Sequence, residues 1–438
     1  MRCKMNNFIL EVGNCLDMIK DLDSNSIDII CTDPPYEIGM MNKKWDKTKI
    51  VFNIATWIEM LRVLKPGGIL LVFGHPTKYH RVACAIEDAG FILRDTISWV
   101  YGSGFPKAQD VSMIIDKKIA QVPHRGRETS FASKFKYNGK MLKKGINIQE
   151  YEPITELAKK WKGWKTLNLK PAYEPIILAQ KPLDKNYANN LLKWGIGAMN
   201  IDDNRISYGN ETPVIGGRTG QRTEGYGYKN LDAINPNLKG RFPSNFIHDG
   251  SEDVLKLFPN TKSGYMNSNI HNITMSGSKI GIYGKYNINN NIETIGDSGS
   301  ASRFFYCAKA SLIDREEGLE KSDGLNKRKN THITVKPMKL MTHLISLFAP
   351  KNAIILDPFL GSGSTGKAVA FINRIKDMNY SFIGYELSEE YFTIASKRIE
   401  YVMNYQINKE SELKNLALRN IEQKSYTQLA LESVLNED

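Results

Sequence analysis

The chain has 438 residues, 41% hydrophobic and 24% charged, a length and balance that predict two or three globular domains with real cores. No stretch approaches the ~20 apolar residues of a membrane span, and the N-terminus MRCKMNNFILEVG lacks a secretory apolar core with a cleavage site, so no membrane attachment is expected. The net charge of +12 favours a polyanionic partner, although a solvated basic surface accounts for charge alone. The five scattered cysteines, odd in number and without metal-ligand spacing, favour a reducing cytoplasm and argue against a disulfide scaffold or a structural zinc.

The first hundred residues alternate strand and helix signals. Residues 8–12 predict a strand, 15–22 a helix, and 27–32 a buried strand that runs directly into TDPPYEIG at 32–39. Residues 53–64 have helical spacing and stop at the Lys65-Pro66-Gly67-Gly68 turn. A strand at 68–73, a helix at 77–89 and an extended segment at 91–100 follow. Strands alternating with helices predict parallel strands joined by crossovers.

The rhythm breaks at about 102. From 134 to 170 there are ten lysines and three acids, with Phe135, Tyr137, Trp161 and Trp164 between them. Aromatics among cations suit a surface that meets phosphates and bases. Residues 174–180 predict one more apolar strand. Residues 183–330 are rich in Gly, Asn, Ser and Tyr, with short apolar islands, and read as a separate irregular domain.

The α/β pattern resumes with a helix at 338–348, strands at 353–356 and 382–385, and helices at 364–373 and 388–401. Residues 402–438 read as a polar helical appendage. Within this unit ILDPFLGSGSTGKAVA (355–370) is an apolar strand, a glycine-rich turn and a helix start. Such a turn lets backbone N–H groups approach a ligand. Glu386 ends the next strand, and an acid ~20 residues after the glycines commonly binds the two hydroxyls of a ribose. A phosphate loop of an NTPase is the competing reading of GSGSTGKA, but Ala368 stands where Ser or Thr would hold magnesium. Asn14, Asp33, the Gly361–Gly363 turn and Glu386 all fall just past the carboxyl ends of predicted strands, the edge where open parallel sheets bind ligands.

DPPY at 33–36, FLGSGST at 359–365 and Glu386 resemble the motifs of S-adenosylmethionine-dependent DNA amino-methyltransferases. The catalytic motif precedes the cofactor turn, with a long variable region between, which resembles the beta group of that family. THITVKP at 331–337 and KPGG at 65–68 extend the likeness. YGSGFPK, KPAYEPIILAQKP and SASRFFYCAKAS resemble a subgroup common in phages and prophages, which implies the cytoplasm of a bacterial or phage-infected cell. The resemblance implies a doubly wound α/β fold with a seven-stranded, mostly parallel sheet, permuted motif order and an inserted target-recognition region. It divides the chain into a catalytic half (1–105), a basic insertion contacting DNA (106–170), a core strand (171–182), a target-recognition region (183–330), an S-adenosylmethionine-binding half (331–401) and the appendage (402–438).

By the same resemblance Asp33, Pro34, Pro35 and Tyr36 are catalytic, and Asp33, Asn14, Thr334, Lys336, Asp357, Phe359, Gly361, Gly363, Ser364 and Glu386 bind the cofactor. No metal is implied. Phe359 is equally readable as core packing, His332 is a weaker cofactor candidate, and His343 reads as a plain helix residue. His75, His80 and His248 show no ligand spacing. Asn14 stands where the family often has Asp, and its side-chain oxygen can still accept from the adenine amine of the cofactor.

An exocyclic amine on a base is a weak nucleophile because its lone pair is delocalised into the ring. Asp33 and the Pro34 carbonyl would each accept an N–H bond, favouring tetrahedral nitrogen and its growing positive charge. Prolines fix φ and donate nothing, so only carbonyls are offered. Tyr36 would stack on a base extruded from double-stranded DNA. Arg125, Arg127, Arg205, Arg218, Arg222 and Arg241 are candidates for reading base edges, although most such charges meet phosphate or solvent. Asp in the first position of the motif goes in the family mostly with N6-adenine, leaving N4-cytosine as the alternative. A homodimer and a restriction endonuclease on a separate chain are compatible with the resemblance.

Overall fold

A computed structural model describes residues 1–39, 44–104, 106–120, 151–208, 220–223, 227–230, 240–262, 298–308, 312–319 and 329–404. The chain forms two compact units. One comprises Met1–Val100, Glu174–Leu319 and Asn330–Asp438; the other comprises Tyr101–Tyr173 with Glu320–Lys329.

The strands are β1 (Arg2–Met5), β2 (Phe8–Val12), β3 (Ile27–Thr32), β4 (Leu64–Phe73), β5 (Ile92–Val100), β6 (Tyr173–Gln180), β7 (Gly220–Thr223), β8 (Gly227–Asn230), β9 (Phe246–His248), β10 (Asn260–Lys262), β11 (Ser298–Ser300), β12 (Tyr306–Cys307), β13 (Ile354–Asp357) and β14 (Ser381–Glu386). Ten of them make one sheet in the order β1-β2-β14-β13-β3-β4-β6-β5-β9-β12. The pairs from β2 through β14, β13 and β3 to β4 are parallel, as are β5–β9 and β9–β12. The α/β, mostly parallel architecture is as expected from the alternating pattern, but the sheet has ten strands rather than seven. A β1–β2 hairpin adds one edge and the short β9 and β12 add the other. Residues 183–330 are therefore not a separate domain throughout, because two of their segments complete the main sheet.

Apolar continuity explains the centre. β3 is buried at every position, and Ile29, Ile30 and Cys31 are fully enclosed. The one acid within it, Asp28, is satisfied by Lys65 Nζ at 2.7 Å and the Ile354 amide at 2.8 Å. The helix Ile54–Val63 is capped by the Asn53 side chain and buries Trp57, Met60 and Val63. The expected KPGG turn lies inside the span of β4, as a bulge: pairing jumps from Ile27–Leu64 to Ile29–Ile69. Gly67 has φ +77 there, and a Cβ on it would meet the Asn190 amide at 2.3 Å. The expected helix 15–22 is two pieces, Cys15–Met18 and a 3-10 turn Ile19–Asp21.

The sequence pattern located β6 but not its direction. It runs antiparallel to β4, with Ile176 opposite Phe73 and Gln180 opposite Ile69. Its first residues therefore stand at the carboxyl edge of the parallel strands, where every other strand beside it ends.

In the second unit the helix Val111–Ile119 is capped by Asp110. Asp116 accepts from Tyr151 Oη, the Ile154 amide, and the Thr155 amide and hydroxyl, joining that helix to the helix Glu156–Lys160. The densest part of the lysine run, Arg125, Arg127 and Arg218, and the appendage beyond Asn404 lie outside the described residues. No described helix is long and apolar enough to cross a membrane.

Candidate active site

Four strand ends converge. Gly13 and Asn14 follow β2, Asp33 follows β3, Pro358 follows β13 and Glu386 closes β14. The Gly13 amide donates to the Glu386 carbonyl at 2.9 Å and the Leu360 amide to the Tyr385 carbonyl at 2.8 Å, which locks these ends side by side. Around them is a cavity of about 430 Å³, within the size range of small-molecule sites. Asp33, Pro34, Pro35 and Tyr36 line one part of its wall. Asn14, Thr334, Phe359, Gly361 and Glu386 also line it.

Asp33 is held from one side only. Its Oδ2 accepts from Lys336 Nζ at 2.6 Å, while Oδ1 is buried and has no partner among the described residues. Lys336 is 4% exposed, lies 3.2 Å from Glu174, and donates to Tyr36 Oη at 3.1 Å. Tyr36 Oη in turn donates to Glu174 at 2.9 Å. Burial pushes the Asp33 carboxyl above the usual range; the Lys336 ammonium works against that and Glu174 adds to it. Burial pulls the Lys336 ammonium down, but Asp33 and Glu174 outweigh it and hold the charge above its ordinary pKa.

Glu386 lies on the cavity wall with each oxygen anchored, Oε2 to the Gly361 amide at 2.7 Å and Oε1 to the Ser388 amide at 2.9 Å. A carboxylate oriented by two amides is suited to accept the hydroxyls of a ribose. Burial raises its pKa to about 7. The Asn14 oxygen accepts from the Leu16 amide at 3.1 Å as a helix cap, which leaves one lone pair for a ligand.

Four of the expected cofactor residues stand behind this wall rather than in it. Lys336 is turned toward the carboxylates. Asp357 spends both oxygens on the fold: Oδ1 accepts from Thr32 at 2.6 Å and Oδ2 from Thr365 at 2.6 Å. It thereby fastens the end of β3 to the glycine turn, and burial lifts its carboxyl to about 6. Gly363, at φ +78, is the cap of the helix Ser364–Lys376, and Ser364 is the first, buried residue of that helix. The turn itself is anchored from below, where the enclosed Arg398 donates to the Ser362 carbonyl and hydroxyl.

Lys367, the lysine of the phosphate-loop reading, is fully buried and pairs with Asp314 at 2.6 Å and Glu317 at 2.7 Å. It does not line the cavity, and the nucleotide-triphosphate reading loses its cation. His343 is stacked on Tyr306 at 3.7 Å in the body of the fold.

Glu174, His332 and Tyr391 were not singled out from the sequence as firm site residues. Glu174 belongs to a strand whose reversed direction is invisible in an apolar run. His332 lines the cavity and crosses Tyr391 edge-on at 4.7 Å. Burial, with Lys336, Arg315 and Arg398 adding to it, lowers His332 to about 3, so the ring is neutral. Of the proposed base readers, Arg205 is paired with Asp202 at 3.0 Å, and Arg241 packs over Tyr208 and Phe304. In the second unit Trp161 and Trp164 are exposed and meet edge-on, while Lys159, Lys162 and Lys165 are ion-paired.

Residues 27–397 match the N6/N4 DNA methylase family. The chain belongs to that family. It is 23% identical over 426 residues to the type II methyltransferase M.HindIII of Haemophilus influenzae, covering 87% of this chain and 91% of that protein. Among solved structures it is similar to the PvuII DNA methyltransferase (cytosine-N4-specific), at 13% identity and TM-score 0.42 over 96% of this chain and 93% of that one. It is also similar to the M1.HpyAVI–SAM complex, at 17% identity and TM-score 0.35 over 90% and 98%. As a member of this family the protein is a DNA methyltransferase that uses S-adenosylmethionine as methyl donor. The cavity fits that donor: its wall offers an amide-anchored carboxylate in Glu386, an acceptor in Asn14 and an aromatic ring in Phe359.

Proposed function

We propose that this methyltransferase modifies the exocyclic N6 amine of an adenine extruded from double-stranded DNA, at a specific site. One observation carries the reading. Asp33 Oδ1 is buried at the cavity without a partner among the described residues, beside the carbonyl-only Pro34-Pro35 backbone, while Glu386 and the Gly361 turn line the same space. A buried acceptor left unsatisfied is unfavourable unless a ligand completes it.

In this reading Glu386 accepts the ribose hydroxyls, Asn14 accepts the adenine amine of the donor, and Phe359 and Thr334 complete its enclosure. The bound donor supplies an electrophilic methyl group. Asp33 Oδ1 and the Pro34 carbonyl accept the two N–H bonds of the target amine. Hydrogen bonds to a charged acceptor are worth about 1.5–3 kcal/mol each, which suits a rate factor on the order of 10². The Tyr36 ring stacks on the extruded base, with its hydroxyl fixed by Glu174 and Lys336. Lys336 acts from behind by orienting Asp33 and Tyr36 toward the target base, and Asp357, Gly363 and Ser364 by shaping the turn that meets the donor. The second unit, with its exposed tryptophans and basic balance, and residues 183–330 contact the DNA around the target.

Adenine is preferred to cytosine because, in this family, Asp in the first position of the motif goes mostly with N6-adenine; N4-cytosine is the alternative. Sequencing DNA from cells that express the chain, with detection of modified bases, tests this. N6-methyladenine at one recurring site is expected; N4-methylcytosine, or no modified base, contradicts the proposal.

A further inference from the structure

Because β6 runs against its neighbour β4, its second residue, Glu174, reaches the edge of the sheet where Asp33 lies. Glu174 does not line the cavity, yet it touches both groups that hold the catalytic loop. It accepts from Tyr36 Oη at 2.9 Å and lies 3.2 Å from Lys336 Nζ, which is 2.6 Å from Asp33 Oδ2. Two carboxylates thus share one buried ammonium.

We propose that Glu174 is a positioning residue of methyl transfer: it holds Lys336 between two carboxylates so that Asp33 remains a strong acceptor, and it fixes the Tyr36 hydroxyl. This rests on the reading of Asp33 as acceptor of the target amine. An ammonium paired with Asp33 alone would draw its negative charge toward Oδ2 and weaken Oδ1. Sharing the ammonium with Glu174 relieves that demand. The net negative charge left in the partly buried cluster also favours the cationic amine that develops during transfer.

The charged and titratable groups facing Asp33 come from four elements. They are Lys336 from the 331–337 segment, Glu174 from β6, Asp357 from β13, and Cys31 from β3, with Tyr36 on its own loop. Glu174 is the one carboxylate among them that shares Lys336. Its removal should therefore move the protonation of Asp33 to lower pH, because a nearby negative charge raises a carboxyl pKa.

The test is single-turnover methyl transfer to DNA as a function of pH, at saturating S-adenosylmethionine so that Glu386 no longer titrates. For Glu174→Gln the plateau rate is expected to fall about tenfold, the acidic limb to move to lower pH, and donor affinity to stay within about twofold of wild type. A limb that stays in place, or a rate that falls only in step with donor affinity, overturns the proposal. Glu174→Asp keeps the charge and draws it away from Tyr36. Its rate should drop with the limb unmoved, and a displaced limb in that variant overturns the proposal even if the glutamine variant does not fold. The underlying reading fails separately, if Asp33→Ala retains transfer.

Discussion

Lys336 Nζ lies 2.6 Å from Asp33 Oδ2, across 303 residues of sequence, and is the ammonium that faces the acid of the DPPY motif. The bond occupies one carboxylate oxygen, and the other is without a partner among the described residues. Removing one partner of a buried ion pair leaves the other uncompensated, at a cost on the order of 3 kcal/mol. Lys336→Met should therefore lower the thermal transition by several degrees. It should also move the acidic limb of methyl transfer to higher pH, since loss of the cation raises the Asp33 carboxyl. This is the opposite direction to the Glu174→Gln shift. Melting curves and pH–rate profiles check both, and an unmoved limb would show that Lys336 has no electrostatic hold on Asp33.

Under the proposed function, donor binding through Glu386 should depend on pH. Burial raises the Glu386 carboxyl to about 7, against an ordinary value of 4.5. Ribose hydroxyls donate, so they need the carboxylate. Affinity for S-adenosylmethionine should therefore strengthen by about tenfold per pH unit as pH rises toward 7 and level off above it. The stability of the fold has the converse dependence. Between the unfolded and folded pKa values the native state holds the extra proton, so its stability falls as pH rises through that window. Calorimetric titration of wild type and Glu386→Gln separates the effects: the glutamine variant should bind weakly and with little pH dependence.

Gly363 tests the architecture of the turn. Its φ of +78 is left-handed, and a Cβ there would sit 2.9 Å from the Ala395 side chain and 3.0 Å from its backbone Cα. Neither neighbour is a flexible chain end. Gly363→Ala should cost about 1–2 kcal/mol from backbone conformation alone, and the clash should push the turn away from the helix Glu389–Asn404. Donor affinity is expected to fall about tenfold or more, measured by equilibrium binding, while an alanine that binds the donor normally would mean that the turn has slack.

Much of the fold was legible because apolar runs and caps are local signals. β2 and β3 were predicted to the residue, and the helix Met338–Phe348 likewise. The convergence of Asn14, Asp33, Gly361 and Glu386 was legible for a related reason, since parallel strands place their following residues on one edge. What could not be read depends on contacts distant in sequence. The direction of β6 is set by its pairing with β4, so Glu174 was read as the start of a core strand and not as a neighbour of Tyr36. β9 and β12 are three and two residues long, too short for a periodic signal. Lys336 and Asp357 carry the right charges for ligand contact, and only the packing reveals that each is committed to another protein group.

Methyl transfer by Asp33→Ala, followed in a single turnover alongside donor and DNA binding, tests most directly whether Asp33 accepts the target amine. Transfer should fall by a factor on the order of 10² or more, well beyond any loss of donor affinity, with DNA affinity within a few-fold of wild type. Transfer that persists near the wild-type rate would contradict the assignment of Asp33 as the acceptor on which the chemistry depends.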